Sequence, residues 1–546
     1  YMMPTGWVVL DELPVTHNGK LDRVALPAPT YHGGAEHAEP STETERSLLV
    51  LWSEVLGTTG IGVDDDFFRI GGDSISGARV LARLRSGTSV ELPSRVLFDH
   101  PTIRGLAAFL ASADVVPDGT NDVIPARGDV AAAPLSSAQQ RLWFLDSFSP
   151  GGVEYNTGIA LRVAGRVRHD ALRAALCRLA DRHDSLRTVF DFDGGVGRQR
   201  VREHAAVGLR TLDLTSFDGV ERDLRLGEEL RVESSKPFEL GVGPLVRALL
   251  IRESDESEVL ALVMHHIVTD GWSMGVLVRE LDQYYTAELA GAPVELPALP
   301  VSYRDWAAWQ RDQTEKAGWE EQLDYWREQL AGVPVLELPT DRARPVVRSS
   351  VGAVHVLRVP PAVVDRLTRW GASGGASLFM TLTAITQLVL AQHSGQDDIA
   401  VGTVVSGRDR TELEGLVGFF VNTLVLRSRV DLSESAEVFL ARVRETVLRA
   451  FSHQDVPFDR VVDAVGGVRD ASRPPLAQVM VVLQNAVGEV AEFGGMPARR
   501  VVLDRASSRF EVTFEFWPDA EGLVVELEYN TDLFDAGTVE RWARDW

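Results

Sequence analysis

A histidine pair followed by an aspartate and a glycine is the group of residues in this chain best suited to chemistry. Residues Met264 to Gly271 read Met-His-His-Ile-Val-Thr-Asp-Gly. A short apolar, β-branched run precedes them at 258–264, and residues 276–284 repeat apolar side chains at helical spacing. We therefore predict that the motif lies where a strand becomes a helix. Because a histidine can orient a nucleophile and accept its proton, this turn is a candidate acyl-transfer centre.

The geometry of a strand separates the two rings. Successive strand side chains face opposite sides, so His265 must point away from His266 if the strand continues that far, one towards the core and one towards a cleft. A satisfied core histidine beside a turn-forming Asp-Gly is an alternative interpretation. A metal site is another, although zinc ligands converge on one point whereas adjacent strand residues diverge. We predict no metal. The spacing alone leaves open the choice between an acyl-transfer centre and a satisfied core histidine.

Length and composition limit the class of protein. The 546 residues suggest three or four domains, and 45% hydrophobic with 25% charged residues is typical of a soluble globular protein. The net charge of -24 argues against a nucleic-acid surface and against anionic membranes. A single cysteine, Cys177, permits no intramolecular disulfide and fits a reducing cytoplasm. We find no signal segment or apolar run of membrane-spanning length, and we expect a cytoplasmic monomer.

Turn-forming residues divide the chain into a tail, a small unit and a large unit. Loop composition occurs at 27–34 and again from 114 to 133. Between these loops, a capping box at Thr42 to Glu45 and three stretches of helical periodicity predict a small helical bundle. Some 410 residues with mixed strand and helix patterns follow. The chain starts without methionine and stops within an apparent helix, so we expect a fragment.

Ser74 is the notable residue of the small unit. Gly71 and Gly72 make a tight turn that lifts it to a helix N-terminus, where N–H groups and the helix dipole favour an anion. A plain N-cap serine is the alternative. The run Asp66-Phe-Phe-Arg-Ile-Gly-Gly-Asp-Ser-Ile75 resembles the peptidyl carrier domains of nonribosomal peptide synthetases. The resemblance covers about 41–113 and implies 4′-phosphopantetheine on Ser74, with Asp73 beside it.

The residues before the carrier resemble a second domain of the same synthetases. Leu13-Pro-Val-Thr-His-Asn-Gly-Lys-Leu-Asp-Arg23 is similar to the closing motif of adenylation domains, in which the lysine, here Lys20, contacts the acyl-adenylate. We interpret residues 1–30 as an adenylation-domain tail. No phosphate-binding glycine loop precedes it, so this tail cannot activate an amino acid by itself.

The large unit, 134–546, resembles the condensation domains of these synthetases through seven motifs in family order. They are Pro134 to Leu145, Arg182 to Thr188, His265 to Gly271, Tyr303 to Gln310, Gly402 to Arg408 with Gly418 to Thr423, His453 to Phe458, and Arg469 to Arg473. The implied fold is a four-helix-bundle carrier plus a two-lobed α/β domain. Its chloramphenicol-acetyltransferase-like lobes, about 134–300 and 301–546, would form a V around a tunnel, with the C-terminus truncated.

The resemblance also implies roles for the residues of the motif. His266 would face the tunnel and orient the attacking amine, whereas His265 would be structural. Gly271 would leave room for the pantetheine arm and offer its N–H to an oxyanion. Asp270 would hold the loop through a buried ion pair, which we expect with Arg182 or, second, with Arg187.

The residues after the motif, and the partners of the domain, are also implied by the resemblance. Trp272 and Ser273 would line the tunnel. The implied partners are an upstream adenylation domain, a downstream aminoacyl carrier, a phosphopantetheinyl transferase, and peptidyl and aminoacyl thioesters. They include neither nucleic acid nor membrane.

Four alternatives compete with peptide-bond formation. Epimerization domains usually have Val-Ser-Trp after the aspartate, whereas this chain has Gly271-Trp272-Ser273, and cyclization domains replace the paired histidines. A non-catalytic docking platform is disfavoured by the intact His266 and Asp270. A coenzyme A-dependent acyltransferase is disfavoured by the linked carrier. Asp73 resembles carriers that serve epimerization domains, so the stereochemistry of the donor residue stays open.

Overall fold

A computed structural model describes most of the chain. The described residues are 38–72, 74–87, 92, 96–112, 123–128, 132–148, 150–193, 196–316, 319–466, 470–486, 488 and 490–546, with side chains for all except 74, 75, 78, 86, 87, 193 and 314–316. The expected adenylation tail, Asp73 and most of the expected linker lie outside this part. Contacts divide the chain into two compact units, Tyr1–Pro117 and Asp118–Trp546.

Four helices lie in the part of the first unit that the structure describes. They are α1 (Glu43–Leu56), α2 (Ser74–Gly87), α3 (Val96–Asp99) and α4 (Ile103–Ser112). The expected capping box starts α1, because Thr42 accepts a hydrogen bond from the Glu45 N–H while the Glu45 carboxylate accepts one from the Thr42 N–H. The bundle closes around Trp52, whose ring meets Phe67 edge-on at 4.8 Å. Periodicity predicted the other three helices but not the one-turn α3, because four residues carry no helical periodicity; the resemblance alone implied a fourth helix.

The second unit is built from eleven helices and fifteen strands in the described residues. The helices are α5 (Ser137–Phe148), α6 (His169–Arg182), α7 (Gly219–Ser234), α8 (Gly271–Ala290), α9 (Tyr303–Lys316), α10 (Glu320–Gln329), α11 (Pro361–Ser373), α12 (Leu378–Ser394), α13 (Ala436–Ser452), α14 (Phe458–Val465) and α15 (Ala536–Asp545). Among the described helices no single one is long and apolar enough to cross a membrane; one pair, α11 and α12, passes that test together but is bent by 101°.

The strands form two six-stranded sheets and one small sheet. They are β1 (Ala133–Pro134), β2 (Asn156–Val163), β3 (Thr188–Asp193), β4 (Val196–Val201), β5 (Gly208–Asp213), β6 (Val246–Arg252), β7 (Glu258–His265), β8 (Gly352–Val359), β9 (Asp398–Val405), β10 (Asn422–Arg429), β11 (Val479–Leu483), β12 (Glu492–Phe493), β13 (Met496–Val501), β14 (Val512–Asp519) and β15 (Gly522–Asn530). The first sheet has the order β12-β13-β2-β7-β6-β5, and the second has the order β10-β9-β11-β14-β15-β8. The small sheet is β1-β4-β3.

Strand β7 is buried on both faces of the first sheet. Leu260 and Leu262 pack with α6 and α8, while Val259 and Ala261 pack on the opposite face against α7. This explains why the strand is an unbroken apolar run rather than an alternating one, since helices cover both of its faces. The strand ends at His265, so the core holds its last residue rigidly.

The expected lobe boundary near residue 300 needs a correction. Strands β12 and β13 lie in the range assigned to the second lobe, yet β13 pairs antiparallel with β2, with Ala498 opposite Val163 and Val501 opposite Ala160. The first sheet is therefore completed by a segment that leaves the second sheet after β11 and returns to it at β14. No linear boundary separates the two lobes, because backbone hydrogen bonds tie residues 496–501 to the first one.

Candidate active site

His265 is a buried structural residue. Its Nδ1 accepts a hydrogen bond from the Ile267 N–H at 3.1 Å, and its ring lies beside Phe238 and Tyr155. Burial, and secondarily the neighbouring His266, lower the pKa of His265 to about 3. The ring is therefore neutral at physiological pH and holds the three-residue turn that follows β7.

His266 presents one ring nitrogen that can accept a proton. Its Nδ1 lies 2.7 Å from the Thr269 carbonyl oxygen, and because a carbonyl only accepts, Nδ1 carries the hydrogen and Nε2 the lone pair. The ring meets Phe419 edge-on at 4.9 Å and is partly exposed. Burial, and next the charge of Arg509, lower the pKa of His266 to about 4. The structure thus holds a neutral imidazole in one tautomer.

Asp270 joins the start of α8 to the second half of the domain. As the N-cap of α8, it accepts hydrogen bonds from the N–H and the hydroxyl of Ser273, both at 2.7 Å. The Phe420 N–H donates to it at 3.1 Å, and the Arg408 guanidinium does so at 3.2 and 3.4 Å. Both side chains of the Asp270–Arg408 pair are fully buried. Asp270 is therefore a helix cap and an ion-pair partner at once.

The ion pair expected between Asp270 and Arg182 is wrong. Arg182 contacts Glu280 at 3.0 Å and donates to the Pro297 carbonyl. Glu280 lies nine residues into α8, roughly 14 Å from the helix start, so an arginine beside it cannot reach Asp270. The second candidate, Arg187, is also engaged elsewhere, with Asp184 and backbone carbonyls.

Arg408 closes the motif Gly402 to Arg408, and its contacts reach across both halves of the domain. The guanidinium donates to the carbonyls of Leu413 and Leu416 and to the Ser273 hydroxyl. It also lies over the Phe420 ring, 4.0 Å from the centroid. Burial lowers the pKa of Arg408, and the neighbouring Asp270 opposes that shift. The motif Gly402 to Arg408 was found in the sequence, but nothing in its spacing identified Arg408 as the partner of Asp270.

Ser273 does not line a cavity, contrary to the expectation. Its side chain is fully buried, and its hydroxyl binds Asp270, Arg408 and both backbone groups of Gly418. Trp272 is partly buried and donates its indole N–H to the Glu414 carbonyl at 2.8 Å. Both residues after Gly271 therefore attach α8 to the segment that follows Arg408.

Two glycines of the site are places of close approach. A Cβ on Gly418 would lie 1.9 Å from the ring of Tyr303, whose hydroxyl donates to the Phe419 carbonyl at 2.6 Å. A Cβ on Gly271 would lie 2.9 Å from the Oε1 of Gln484, a residue that sequence analysis did not single out. The space beside Gly271 is thus occupied by a protein side chain. Arg509, whose charge lowers the pKa of His266, was missed as well, because neither residue lies in one of the seven motifs.

Ser74 is the first residue of α2 in the carrier unit. Gly71 has a φ of 106°, and a Cβ on Gly72 would lie 2.3 Å from the Phe67 ring, so the turn before the serine requires glycines. The first N–H groups of a helix have no acceptor within the helix, so the start of this 14-residue helix favours an attached phosphate diester. The position therefore fits phosphopantetheine. In the described residues no group of three or more His, Cys, Asp or Glu side chains could hold a metal ion.

In the helical unit, a serine follows a glycine turn at the start of a helix. In the two-lobed unit, a pair of histidines lies in a turn between a strand and a helix. These features define a carrier and condensation protein. Residues 131–546 match the family model for the condensation domain, and residues 46–110 match that for the phosphopantetheine attachment site. The chain belongs to the condensation-domain family. The carrier unit matches the domains that hold 4′-phosphopantetheine on a serine.

Curated relatives are much longer than this chain. One of the linear gramicidin synthase proteins of Brevibacillus parabrevis is 40% identical over 549 residues, which cover 99% of this chain and 7% of the relative. Tyrocidine synthase 3 of the same organism is 36% identical over 553 residues, covering 100% of this chain and 8% of the relative. The chain therefore spans a small part of each of these two synthases.

Solved structures match the second unit. The X-domain from teicoplanin biosynthesis is 27% identical with a TM-score of 0.68, covering 77% of this chain and 95% of that one. The first condensation domain of the calcium-dependent antibiotic synthetase, solved with a substrate analogue, is 22% identical with a TM-score of 0.68, covering 76% and 96%. The two-lobed fold is thus the one expected from the sequence.

Proposed function

We propose that this condensation domain joins a donor acyl group to the amine of an aminoacyl thioester on a downstream carrier, with His266 at the centre of the reaction. The observation that supports this most is the ring of His266. Its Nδ1–H is bound to the Thr269 carbonyl, which leaves an unprotonated Nε2 on a partly exposed side chain. That nitrogen can accept a hydrogen bond from the attacking amine and aim its lone pair at the thioester.

His266 acts chiefly as an orienting group rather than a strong base. A histidine with a pKa of about 4 takes a proton weakly at neutral pH. An α-amine has a pKa near 8, so about a tenth is already the free nucleophile at pH 7. Attack forms the carbon–nitrogen bond and a tetrahedral oxyanion, whose collapse breaks the carbon–sulfur bond. The ammonium proton leaves to Nε2 or water as the thiolate takes one up.

Ser74 is the attachment point of 4′-phosphopantetheine in this proposal. The group supplies the thiol on which an acyl chain is held as a thioester. We include Asp73, which precedes Ser74 in the sequence, in the proposed cofactor-binding position. We further propose that residues 1–30 are the end of an adenylation domain, supported by relatives that align over 99% and 100% of the chain.

Loading and turnover test the proposal separately. Incubation with coenzyme A and a phosphopantetheinyl transferase should add one phosphopantetheine to the chain by intact mass, and Ser74→Ala should abolish the addition while Ser112→Ala should not. The loaded protein is then given an acceptor thioester, and amide formation is followed by mass spectrometry. His266→Ala should lower turnover strongly, whereas His169→Ala, at an exposed site on α6, should not.

Two outcomes would contradict parts of the proposal. Absence of the mass increase in the wild-type chain would refute the carrier assignment. Undiminished turnover in His266→Ala would refute the role of His266. A platform that recruits other enzymes, the second candidate function, would load but form no amide even in the wild type. The likeness to the teicoplanin X-domain, which is also solved in a complex with OxyB, makes that second candidate worth the control.

A further inference from the structure

Gln484 reaches the active-site turn from the opposite half of the domain. It directly follows β11, and its backbone N–H donates to the Phe516 carbonyl at 2.8 Å, which continues the pairing of β11 with β14. Its side-chain oxygen lies 2.9 Å from the position of a Cβ at residue 271, so one of the two atoms would have to move if residue 271 had a side chain. The second sheet therefore brings an amide group against the first residue of α8.

The side-chain N–H groups and oxygen of Gln484 are available for further hydrogen bonds. A glutamine side chain offers two donors and an acceptor, and the structure records no hydrogen bond between those atoms and any described residue. The side chain is only partly exposed. A polar group held beside the catalytic turn, with its donors uncommitted, is suited to bind a polar atom of the substrate.

We propose that Gln484 is a catalytic hydrogen-bond donor, and that residue 271 is glycine because the Gln484 side chain takes that space. The inference rests on the proposed function. As the amine attacks, the π electrons of the thioester carbonyl move to its oxygen, and the side-chain N–H of Gln484 donates to the developing oxyanion. The Gly271 N–H, which has no partner within the helix, can donate to the same oxygen. Collapse expels the thiolate and restores the carbonyl.

The role predicts an ordered set of kinetic losses. Loss of one oxyanion donor lowers kcat on the order of 100-fold, so the kcat of Gln484→Ala should be lower than that of the wild type by about this factor, with little change in KM. Gln484→Glu should fall at least as far, because a carboxylate cannot donate and repels the oxyanion. If the amide instead accepted a hydrogen bond from the amine, Gln484→Glu would retain activity, and that result would overturn the inference.

Gly271 gives the sharper test. The atom that meets a Cβ at 271 is the end of a flexible side chain, so Gly271→Ala should fold normally and displace the Gln484 amide. Gly271→Ala and Gln484→Ala should therefore have similar kcat values, and the double variant should be no slower than either. If glycine were instead needed as space for the pantetheine arm, the two losses would multiply in the double variant.

The assay uses the whole chain, loaded on Ser74 from a panel of dipeptidyl-coenzyme A compounds, with aminoacyl N-acetylcysteamine thioesters as acceptors. Gln322→Ala, at a partly exposed glutamine that pairs with Asp455, is the matched control and should leave kcat unchanged. Thermal unfolding of each variant separates misfolding from lost chemistry. If the wild type forms the amide and Gln484→Ala forms it at the same rate, this inference alone is refuted. Loading without any wild-type turnover would refute the proposed function, and this inference with it.

Discussion

Replacing Asp270 with asparagine should destabilise the domain through Arg408. The substitution keeps the shape of the side chain but leaves the guanidinium charge buried without its counter-charge, since both partners are fully buried. Breaking such a pair from one side costs about 3–5 kcal/mol. Native proteins are stable by about 5–15 kcal/mol, so the loss is a large share of the margin. At roughly 2 °C per kcal/mol for a large domain, we expect a fall in Tm of about 5–10 °C.

A double-mutant cycle identifies the partner. Thermal unfolding is measured for Asp270→Asn, Arg408→Met and the double variant, in which neither charge is left alone. The double variant should be more stable than the sum of the single losses predicts, by about 2 kcal/mol or more, because contacting residues couple. The same cycle with Arg182→Met is the control. Arg182 binds Glu280, so its loss should add to that of Asp270→Asn within about 0.5 kcal/mol.

Either of two results would refute this reasoning. Additive losses for Asp270→Asn and Arg408→Met would mean that the pair does not stabilise the fold as a unit. Coupling between Asp270→Asn and Arg182→Met would restore the partner expected from the sequence.

Other expected outcomes concern His266 and Gly418. As the pH falls, the turnover rate should decline with an apparent pKa near 8, that of the attacking amine, because the pKa of His266 is about 4 and does not contribute in this range. A second decline in the pH–rate profile near pH 6.5 that His266→Ala abolishes would contradict this. Arg509→Gln removes a charge that lowers the pKa of His266, so an NMR titration of the imidazole should show a higher pKa than in the wild type. Gly418→Ala places a Cβ 1.9 Å from the Tyr303 ring and should cost about 1–3 kcal/mol in thermal unfolding, whereas Gly227→Ala, with open space, should cost nothing; equal melting temperatures would contradict the clash.

The local part of the site could be predicted from the sequence. Apolar runs on each side of the motif placed it between β7 and α8. Strand alternation was expected to separate His265 from His266, but β7 ends at His265, and the turn His266–Val268 orients the second ring. The buried face of α8, which includes Leu277 and Leu281, follows from its helical spacing. These features depend on neighbours within a few residues, for which backbone periodicity is a sufficient guide.

The parts that failed depend on residues far apart in the chain. Arg408 is 138 residues from Asp270, and the sequence offers many arginines of equal charge with nothing local to rank them. Gln484 reaches Gly271 only because the second sheet ends beside α8, and no spacing rule reports that. The return of β13 to the first sheet was missed for the same reason, since an edge strand shows its partner only in the folded molecule.

The strand order of the first sheet has a consequence for synthesis of the protein on the ribosome. Strand β2 is bordered by β7 on one side and by β13 on the other, and β13 ends 236 residues after β7. At about 5–20 residues per second, the outer edge of β2 waits roughly 10–50 s for its neighbour. An unpaired strand edge is a template for association with other chains. During this interval the open edge of β2 therefore exposes the nascent first lobe to aggregation.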